Sequence, residues 1–230
     1  MKAGAEAERL VRIAARALAR HGLVHAYGHV SLRLDQQHFL VGTSRPLGLV
    51  QPDDSGHIVP LHGPLPDGVL PEVRIHREIY RARPEVGGIA RVQPPKLMSL
   101  STLGRTPASC HGFGAYFHPQ PPLWNDPMLV RDDALATTLA QTLANAPAIV
   151  MRGNGAVLAG TSLEMAVVLA WYLEDAARVE LDVLASGLEP IRFTDEQARA
   201  RATWNGRLLE RMWDYLTHGD PEGPCPASTG

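Results

Sequence analysis

Apolar residues occur along this chain only in short windows, and Arg, Asp, Glu or Pro interrupts every one of them. No window approaches the roughly 20 apolar residues that a membrane-spanning helix needs. The pattern therefore predicts a globular protein of short strands and helices rather than a membrane protein. With 230 residues and a hydrophobic content of 45%, the chain is long enough to bury one sizeable core.

The charge balance limits the partners that such a protein can bind. A formal net charge of -2 and a sequence pI of about 6.5 provide no broad basic field for nucleic acid or for an anionic membrane. Only Cys110 and Cys225 are cysteines, and the N-terminal segment is Arg-rich and amphipathic, unlike a secretory signal. These features favour a reducing, cytoplasmic location and a small-molecule ligand whose charge is met locally.

Hydrophobic periodicity predicts a helix over residues 6–21, because apolar residues recur there at a spacing of three and four. Residues 29–35 alternate as a half-buried strand does, and residues 39–41 are the expected hairpin partner. The Pro- and Gly-rich stretch from Pro46 to Pro71 is predicted to be a loop with one brief strand near residues 57–59.

In the second half of the chain, helical and strand patterns alternate, but no clear period is present between Thr106 and Leu129. The predicted helices are Pro71–Arg83, a short helix ending at Gly104, 132–146, a long helix ending at Gly187 with a capping box at Thr161–Glu164, and a final helix after a box at Thr194–Gln197. The predicted strands are 88–92, 148–152 and 156–158. We expect a single domain over residues 1–218 and a disordered tail over 219–230.

Two short motifs could contact a ligand at one end of the predicted hairpin. Gly28-His-Val-Ser31 enters the first strand, and Thr43-Ser-Arg45 follows the second, so His29 and Arg45 could approach the same anion. The glycine would let backbone amides come close to that ligand. The local patterns also fit a strand-entry turn and a solvated loop arginine.

Glu72 lies in the first turn of a predicted helix, with His76 one turn later on the same face. A glutamate at this position commonly does no more than stabilise the helix dipole. Beside a desolvated pocket, the same carboxylate could instead transfer a proton, and Glu72 and His76 could orient one another.

Polar residues also interrupt two strand ends that otherwise look apolar. Arg91 and Gln93 alternate on one face of a predicted central strand, where they need partners or a cavity. Asn154 lies between two glycines, which is typical of a tight turn. The histidines of the middle segment show no paired metal-ligand spacing, and the sequence contains no Walker loop, dinucleotide fingerprint, Gly-x-Ser-x-Gly elbow or CxxC.

Taken in order, these motifs resemble the class II aldolase/adducin family, from the first helix to about Gly187. The residues that carry the resemblance are Gly28-His-Val-Ser31, Thr43-Ser-Arg45, Pro71-Glu72 with His76, Tyr80–Val86, Met151-Arg-Gly-Asn-Gly155 and Leu173-Glu174. The resemblance implies an α/β/α sandwich with a central, mainly antiparallel sheet of about nine strands flanked by helices. It also implies a homotetramer with active sites between neighbouring subunits, and Glu72 as the family's acid/base residue.

The resemblance also indicates a branch of the family. Sugar-phosphate members bind phosphate through a Gly-Asn-x-Ser loop, a Thr-Gly turn and a Ser-Ser pair, which here become Gly28-His29, Ser44-Arg45 and Leu70-Pro71. Because both serines of that pair are missing, a phosphate would lose hydroxyl donors. The His-Val-Ser and Ser-Arg-Pro motifs, with Arg211 and Trp213 in the last helix, are more similar to those of decarboxylases of hydroxylated aromatic or pyridine dicarboxylates.

The chain departs from the family at its metal site. The family's His-x-His is Arg91-Val-Gln93 here, and its later His-Gly is Asn154-Gly155. Arginine cannot ligate a metal, and amide oxygens are weak ligands for transition ions. We therefore expect no metal cofactor at this position, with Arg91 supplying positive charge and Gln93 and Asn154 supplying hydrogen-bond donors.

Three hypotheses follow from the sequence. In the first, the protein is a metal-independent carbon-carbon lyase, either a decarboxylase or an aldolase, that acts on a small hydroxylated carboxylic acid. Its predicted catalytic residues are Glu72 and Arg91, and its predicted substrate-binding residues are Gly28, His29, Ser31, Ser44, Arg45, Gln93 and Asn154. In the second, it is a non-catalytic, adducin-like binding or scaffold protein. In the third, a displaced metal is bound by His29, His76, His111 or His118.

Overall fold

The computed structural model describes residues 3–223, in which one sheet lies between two layers of helices. The strands are β1 (His29–Arg33), β2 (His38–Val41), β3 (His57–Pro60), β4 (Gly88–Val92), β5 (Leu123–Trp124), β6 (Ala148–Met151) and β7 (Gly155–Gly160). The helices are α1 (Ala5–Arg20), α2 (Arg74–Ala82), α3 (Pro95–Thr102), α4 (Asp133–Leu143), α5 (Leu163–Ala185), α6 (Asp195–Arg201) and α7 (Leu208–Thr217). The predicted α/β sandwich class is confirmed.

The sheet has the strand order β3-β2-β1-β4-β7-β6-β5. Neighbouring strands are antiparallel except for β5 and β6, which are parallel. The expectation of about nine strands was wrong for residues 3–223, where the sheet has seven strands and is mixed. The parallel strand β5 has only two residues and lies in the stretch without a clear period, so it produces no strand pattern in the sequence.

Alternating side chains on the strands build a separate core on each face of the sheet. Val30, Ala90 and Leu158 point toward the face covered by α1, α3 and α5. Phe39, Ile89 and Val157 point toward the opposite face, where α2 and α4 pack against each other. The hairpin and the central strands therefore hold both layers in a fixed position relative to one sheet.

Local capping signals were partly right. The Thr194 box is confirmed, since its hydroxyl accepts a hydrogen bond from the Gln197 amide and the Gln197 side chain accepts one from the Thr194 amide. For α5, however, the prediction was wrong by one residue. Ser162, not Thr161, is the N-cap, and its side chain accepts from the Met165 amide at 3.2 Å.

The predicted final helix is two helices. α6 ends at Arg201 and α7 begins at Leu208, and Trp204 lies in the break. Gly206 and Arg207 have φ values of +70° and +61°, a left-handed backbone that cannot continue a right-handed helix. The helical spacing of the apolar residues therefore continues across a segment that the backbone interrupts.

The structure corrects the start of the predicted disordered tail, because residues up to Glu222 contact α1. One face of α1 carries an arginine stripe, defined as Arg9, Arg12, Arg16 and Arg20. All four side chains contact the segment from His218 to Glu222. The innermost contact is a two-bonded ion pair, in which Arg16 donates to the Asp220 carboxylate at 2.7 and 2.8 Å. Residues 224–230 of the predicted tail lie outside the described part of the chain.

Replacing Asp220 by alanine is expected to lower the free energy of unfolding by about 3 kcal/mol, since it leaves a buried guanidinium without its main partner. Arg16 is 8% exposed, and Asp220 is 9% exposed. Urea titration followed by circular dichroism measures the change. Asp182→Ala is the matched control, because Asp182 pairs with Arg178 on an exposed helix face and exposed pairs contribute little. Equal effects of the two substitutions would contradict the prediction.

No helix within residues 3–223 combines the length and the apolar character that crossing a membrane requires.

Candidate active site

Three chain segments meet at one end of the sheet. They are the start of β1, the end of β4 and the turn between β6 and β7. His29 at the start of β1 lies directly opposite Arg91 on β4, so both side chains project to the same face. On the other side of β4, Val92 pairs with Ala156, which places the Asn154 turn beside Gln93. The sheet thus brings together residues that are far apart in sequence.

Two glycines allow this close assembly. Gly28 has φ +135°, and a Cβ there would lie 2.9 Å from the carbonyl oxygen of Arg91. Gly155 has φ +94°, and a Cβ there would lie 2.0 Å from the carbonyl oxygen of Val92. Any side chain at either position would push β1 or β7 away from β4. Gly28 was predicted to let backbone amides approach a ligand, whereas the close approach that the structure shows is to β4.

Arg91 is a buried cation at the centre of this end of the sheet. Arg91 is only 2% exposed, and its Nη1 donates to the carbonyl oxygen of Val92 at 2.8 Å. Its Nη2 lies 4.0 Å from Glu72 Oε2. Burial lowers the pKa of Arg91 and the Glu72 carboxylate raises it, and an arginine remains charged at neutral pH. The site therefore contains a fixed positive charge that Glu72 partly offsets.

Glu72 lies in a 3-10 turn, Pro71–Val73, just ahead of α2. Its side chain is 21% exposed, with Oε2 facing Arg91 and Oε1 buried without a hydrogen-bond partner among residues 3–223. The turn thus presents this carboxylate to the cation on β4. The structure does bring together the two predicted catalytic residues, Glu72 and Arg91.

His76 does not orient Glu72, contrary to expectation, because other groups occupy both of its ring nitrogens. Its Nε2 lies 2.8 Å from His29 Nδ1, and its Nδ1 lies 2.6 Å from Ser31 Oγ. The Ser31 hydroxyl in turn lies 3.0 Å from the hydroxyl of Tyr80. These four side chains, here called the imidazole chain, are buried and lead from the interior to the site.

Sequence reasoning missed Tyr80 as part of this chain. A signal for it was present, since Glu72, His76 and Tyr80 are spaced four residues apart, the spacing of one helix face. The hydroxyl of Tyr80 also donates to the carbonyl oxygen of Ser31 at 3.0 Å. Burial raises the pKa of Tyr80 above its ordinary value, so the phenol remains protonated.

The two predicted amide residues contact each other. Gln93 Nε2 donates to Asn154 Oδ1 at 3.3 Å, across the end of β4. Asn154 Nδ2 is buried and has no partner among the described residues. One donor of the pair is therefore used internally, and the other is left for a ligand.

Ser44 lies near His29, but Arg45 is not brought into the site. A narrow pocket is lined by His29, Val41, Gly42, Ser44, Gly68, Val69, Leu70 and Val73. The Arg45 side chain is 50% exposed and forms an ion pair with Asp54 at 3.0 Å. Asp54 is held in place by the Gln51 amide, so it fixes Arg45 on the loop surface.

Four buried polar atoms at this end of the sheet lack hydrogen-bond partners among residues 3–223. They are His29 Nε2, Glu72 Oε1, Arg91 Nε and Asn154 Nδ2. Buried polar groups are nearly always satisfied, so such a group of unpaired atoms indicates a ligand site. Arg91 Nε and Asn154 Nδ2 can only donate, which suits an anionic or oxygen-rich ligand.

A larger concavity lies elsewhere, at the Arg33 end of β1, and contains none of the predicted site residues. Its lining is partly exposed and its cations are already partnered, as Arg33 is with backbone carbonyls and Arg81 is with Glu78. The unpaired buried atoms favour the His29 end as the functional site.

The two histidines of the imidazole chain are expected to make the stability of the folded protein fall in acid. Burial, followed by the nearby Arg91 charge, lowers the pKa of His29 to about 3, from an ordinary 6.5. Burial also lowers the pKa of His76, with further contributions from His29 and Arg91. The unfolded chain thus takes up these protons near pH 6.5 whereas the folded chain does not, so stability falls as pH drops from about 6.5 toward 3.

Between about pH 6.5 and 5.5, where few carboxylates titrate, each imidazole should contribute a slope of about 1 kcal/mol per pH unit. Urea titrations at several pH values measure it. The double variant His29→Gln, His76→Gln should show a shallower slope in this window. Equal slopes for the two proteins would contradict the assignment of neutral, buried imidazoles.

Comparison with known families decides the identity of this fold. The model for the Class II Aldolase and Adducin N-terminal domain matches residues 9–181. The chain belongs to the class II aldolase/adducin family. This confirms the family predicted from the motifs and, with the relatives below, the prediction of an enzyme of the lyase class.

Among curated relatives of this class II aldolase/adducin protein, the 3,4-dihydroxyphthalate decarboxylase of Terrabacter sp. (strain DBF63) is 31% identical over 207 residues, covering 81% of this chain and 85% of the relative. The 3,4-dihydroxyphthalate decarboxylase of Arthrobacter keyseri is 29% identical over 205 residues, covering 80% and 81%. Both similarities extend over most of each chain.

Solved structures of the same family have the same fold. L-fuculose 1-phosphate aldolase from Glaciozyma antarctica PI12 superposes with a TM-score of 0.79 at 23% identity, covering 93% of this chain and 89% of that one. L-fuculose-1-phosphate aldolase from Thermus thermophilus gives a TM-score of 0.72 at 26% identity, covering 82% and 100%. These matches confirm the class II aldolase fold.

The metal that the family resemblance implies does not fit the residues of this site. A guanidinium occupies position 91, and the amides of Gln93 and Asn154 bond to each other. Within residues 3–223 of one chain, no three His, Cys, Asp or Glu side chains converge as a metal-binding group. Imidazoles and carboxylates are the usual ligands of such metal ions, whereas the positively charged guanidinium of Arg91 repels a metal ion.

A displaced metal on the four histidines is not supported either. His29 and His76 contact each other, but His118 pairs with Asp195 at 3.0 Å and His111 packs edge-on against Phe113. Because His111 and His118 contact other elements, the four rings do not form a common ligand set within the described residues.

Proposed function

We propose that this protein is a carboxy-lyase that releases carbon dioxide from a small hydroxylated aromatic carboxylate, with 3,4-dihydroxyphthalate as the first candidate. The observation that carries this proposal is the set of four unpaired, buried polar atoms around Arg91. The decarboxylase relatives, at 29% and 31% identity, support the same reaction class. Aldol cleavage of a hydroxy acid is the neighbouring possibility within the lyase class.

The donors at the site fit a carboxylate and a ring oxygen better than a phosphate. Ser44 can donate to a carboxylate in the narrow pocket that His29 also lines. Arg91 Nε and Asn154 Nδ2 can donate to a ring hydroxyl oxygen as negative charge develops on it. By the family resemblance, Leu70 and Pro71 replace the Ser-Ser pair of the sugar-phosphate members, so a phosphate would lack those hydroxyl donors.

In this mechanism, the Glu72 carboxylate first accepts the proton of the ring hydroxyl next to the departing carboxylate. The resulting oxyanion is stabilised by Arg91 and Asn154. Glu72 then returns the proton to the ring carbon that bears the carboxylate, forming a dienone. Cleavage of the carbon-carbon bond releases carbon dioxide and returns its electron pair to the ring, and the phenolate takes a proton from water.

We propose further that the reaction is metal-independent, with Arg91 supplying the positive charge. The support is chemical, because a buried guanidinium stands where the family's ligand histidine would be. Elemental analysis of the purified protein tests this directly. Activity that persists after chelation is expected, whereas activity that requires an added divalent ion would overturn the proposal.

A screen for carbon dioxide release tests the proposed carboxy-lyase activity and its substrate class. Hydroxybenzoates, hydroxyphthalates and pyridine carboxylates are the substrates to test, with turnover followed by ultraviolet absorbance and by trapped carbon dioxide. Release from at least one hydroxylated acid is expected. Binding of such acids without release of carbon dioxide would contradict the proposed reaction.

We also propose that the protein is a homotetramer, as the family resemblance implies. Two apolar side chains beside the site are exposed in the single chain, with Tyr27 73% exposed next to Gly28 and Leu70 37% exposed near Glu72. A neighbouring subunit placed there would cover both side chains. Light scattering coupled to gel filtration measures the mass, and a monomer would contradict this expectation.

A further inference from the structure

The imidazole chain consists of four polar side chains whose hydrogen bonds can all form together in only one direction. It runs from His29 through His76 and Ser31 to Tyr80, with contacts of 2.8, 2.6 and 3.0 Å between successive side chains. None of the four residues is more than 4% exposed. Because an unpaired buried polar group costs free energy, the direction that uses every contact is the stable one.

Tyr80 sets this direction, since its hydroxyl has a single proton and one neighbour that can only accept. The Tyr80 hydroxyl lies 3.0 Å from the carbonyl oxygen of Ser31 and donates to it. The contact between the Tyr80 and Ser31 hydroxyls, also 3.0 Å, therefore requires the serine to donate. With its own proton used in this way, the Ser31 hydroxyl can only accept from His76.

The proton positions on both imidazoles follow from the direction of the chain. Burial and the nearby charge of Arg91 lower the pKa of His29 to about 3, and burial lowers the pKa of His76, so both rings are neutral at pH 7. His76 donates to Ser31 through Nδ1, and its bare Nε2 accepts from His29 Nδ1. His29 Nε2 therefore carries no proton. In the opposite direction, the one proton of Tyr80 could not serve both of its contacts.

His29 Nε2 is thus an acceptor at the candidate site. It is buried and has no hydrogen-bond partner within residues 3–223. Arg91 Nε and Asn154 Nδ2, which are unpaired in the same part of the chain, can only donate. An ionised carboxylate only accepts, so it satisfies these two donors but not His29. A ligand that satisfies all three atoms must also bring a donor.

The proposed substrate has one group that suits this nitrogen. 3,4-Dihydroxyphthalate carries two ionised carboxylates, which only accept, and two hydroxyls, which can donate. In the proposed mechanism, the hydroxyl next to the departing carboxylate gives its proton to Glu72. The second hydroxyl keeps its proton and is the remaining donor for His29 Nε2.

We propose that His29 is a specificity-determining residue, which accepts a hydrogen bond at Nε2 from the second hydroxyl of an ortho-dihydroxylated aromatic acid. His76, Ser31 and Tyr80 are positioning residues, because they fix the proton of His29 on Nδ1. The choice of hydroxyl rests on the proposed function, whereas the direction of the chain is a property of the free protein. An analogue without that hydroxyl leaves a buried acceptor unpaired and is disfavoured.

The position of the His29 proton is measured without any ligand, by long-range proton-nitrogen correlation spectra of 15N-histidine-labelled protein at pH 7. The chain contains 10 histidines, and the spectrum of His29→Gln identifies the His29 signals by their loss. We expect the pattern of a neutral ring protonated at Nδ1. A ring protonated at Nε2, or a charged ring, would overturn the proposal.

Two benzoates that differ by one hydroxyl test the specificity. 3,4-Dihydroxybenzoate is the product of the proposed reaction, and 3-hydroxybenzoate lacks only the second hydroxyl. Neither carries the carboxylate that the reaction removes, so calorimetry measures their equilibrium binding to the unsubstituted protein. The dihydroxy acid should bind roughly 10- to 100-fold more tightly, because the other acid leaves one buried acceptor unpaired. Equal affinities would show that His29 does not select for this hydroxyl.

Tyr80→Phe tests whether the chain keeps Nε2 of His29 as an acceptor. Without the phenol, the Ser31 hydroxyl loses its acceptor and becomes free to donate to His76, which allows the opposite direction. A His29 signal protonated at Nε2 should then appear, and the ratio of the two benzoate affinities should fall. Tyr172→Phe is the matched control, since Tyr172 packs in the core on the opposite face of the sheet, and it should change neither result. An unchanged spectrum and ratio in Tyr80→Phe would contradict the positioning role.

The results also separate this proposal from the proposed function. If the spectrum and the affinity ratio are as expected but no acid releases carbon dioxide, the proposed reaction fails and the acceptor role of His29 stands. If carbon dioxide is released but the two benzoates bind equally, the proposed reaction stands and the acceptor role fails.

Discussion

Replacing Glu72 by glutamine is expected to lower the rate of carbon dioxide release by about 100- to 10,000-fold, the usual contribution of a general acid/base. Glutamine keeps the shape of the side chain but cannot carry a proton from the ring oxygen to the ring carbon. The unpaired Glu72 Oε1 is the atom placed to do this, while Oε2 faces Arg91. Because substrate contacts through His29 remain, KM should change much less than kcat.

Glu85→Gln is the matched control, since Glu85 lies just after α2, pairs with Arg83 and has a side chain that is 54% exposed. Its turnover should equal that of the unsubstituted protein. Melting curves for both variants exclude unfolding as a cause of lost activity. Turnover that is unchanged in Glu72→Gln would remove Glu72 from the mechanism.

Converting three residues to histidine is expected to create a metal site in this protein. Arg91 and Gln93 project to one face of β4, and Asn154 bonds to Gln93, so Arg91→His, Gln93→His and Asn154→His together place three imidazoles at one sheet end. Three histidines are sufficient for a catalytic zinc site. The triple variant should therefore retain about one zinc ion per chain after dialysis, measured by elemental analysis.

Zinc retention by the triple variant is compared with that of a single variant and of the unsubstituted protein. The single variant Asn154→His keeps the Arg91 guanidinium, and its positive charge should prevent zinc retention. The unsubstituted protein should also retain none. A stoichiometric divalent ion in the unsubstituted protein would overturn the metal-independent proposal, and an empty triple variant would show that these positions do not converge as the family resemblance implies.

The motifs named several residues that the fold brings together, although their local patterns alone do not indicate contacts between them. His29 and Arg91 lie opposite each other because β1 pairs with β4, a pairing between strands that are distant in sequence, which periodicity cannot reveal. The family resemblance supplied that long-range information. Arg45 was misplaced because its position depends on Asp54, a carboxylate nine residues away whose own loop geometry has no sequence signature.

Some helices and strands can likewise be predicted from local spacing, whereas others depend on contacts between distant residues. The hairpin of β1 and β2 and the helices α1 and α4 follow from apolar spacing, which depends on neighbouring residues alone. Strand β5 has two residues and pairs in parallel with β6, so only its partner defines it. The break between α6 and α7 depends on Arg207, whose backbone is left-handed. Arginine rarely adopts this conformation, and the local sequence does not predict it.

The arginine stripe on α1 has a consequence for synthesis of the chain. Its contacts with residues 218–222 join positions that are between 198 and 213 residues apart, so they form only when nearly all of the sequence shown has been made. Until then, Arg16 and Arg20 have no acidic neighbour within reach on α1. A product that stops before Asp220 would leave Arg16 and Arg20 without these acidic partners. Only a chain that extends past residues 218–222 can therefore form these contacts. A shorter product lacks them and is more open to proteolysis.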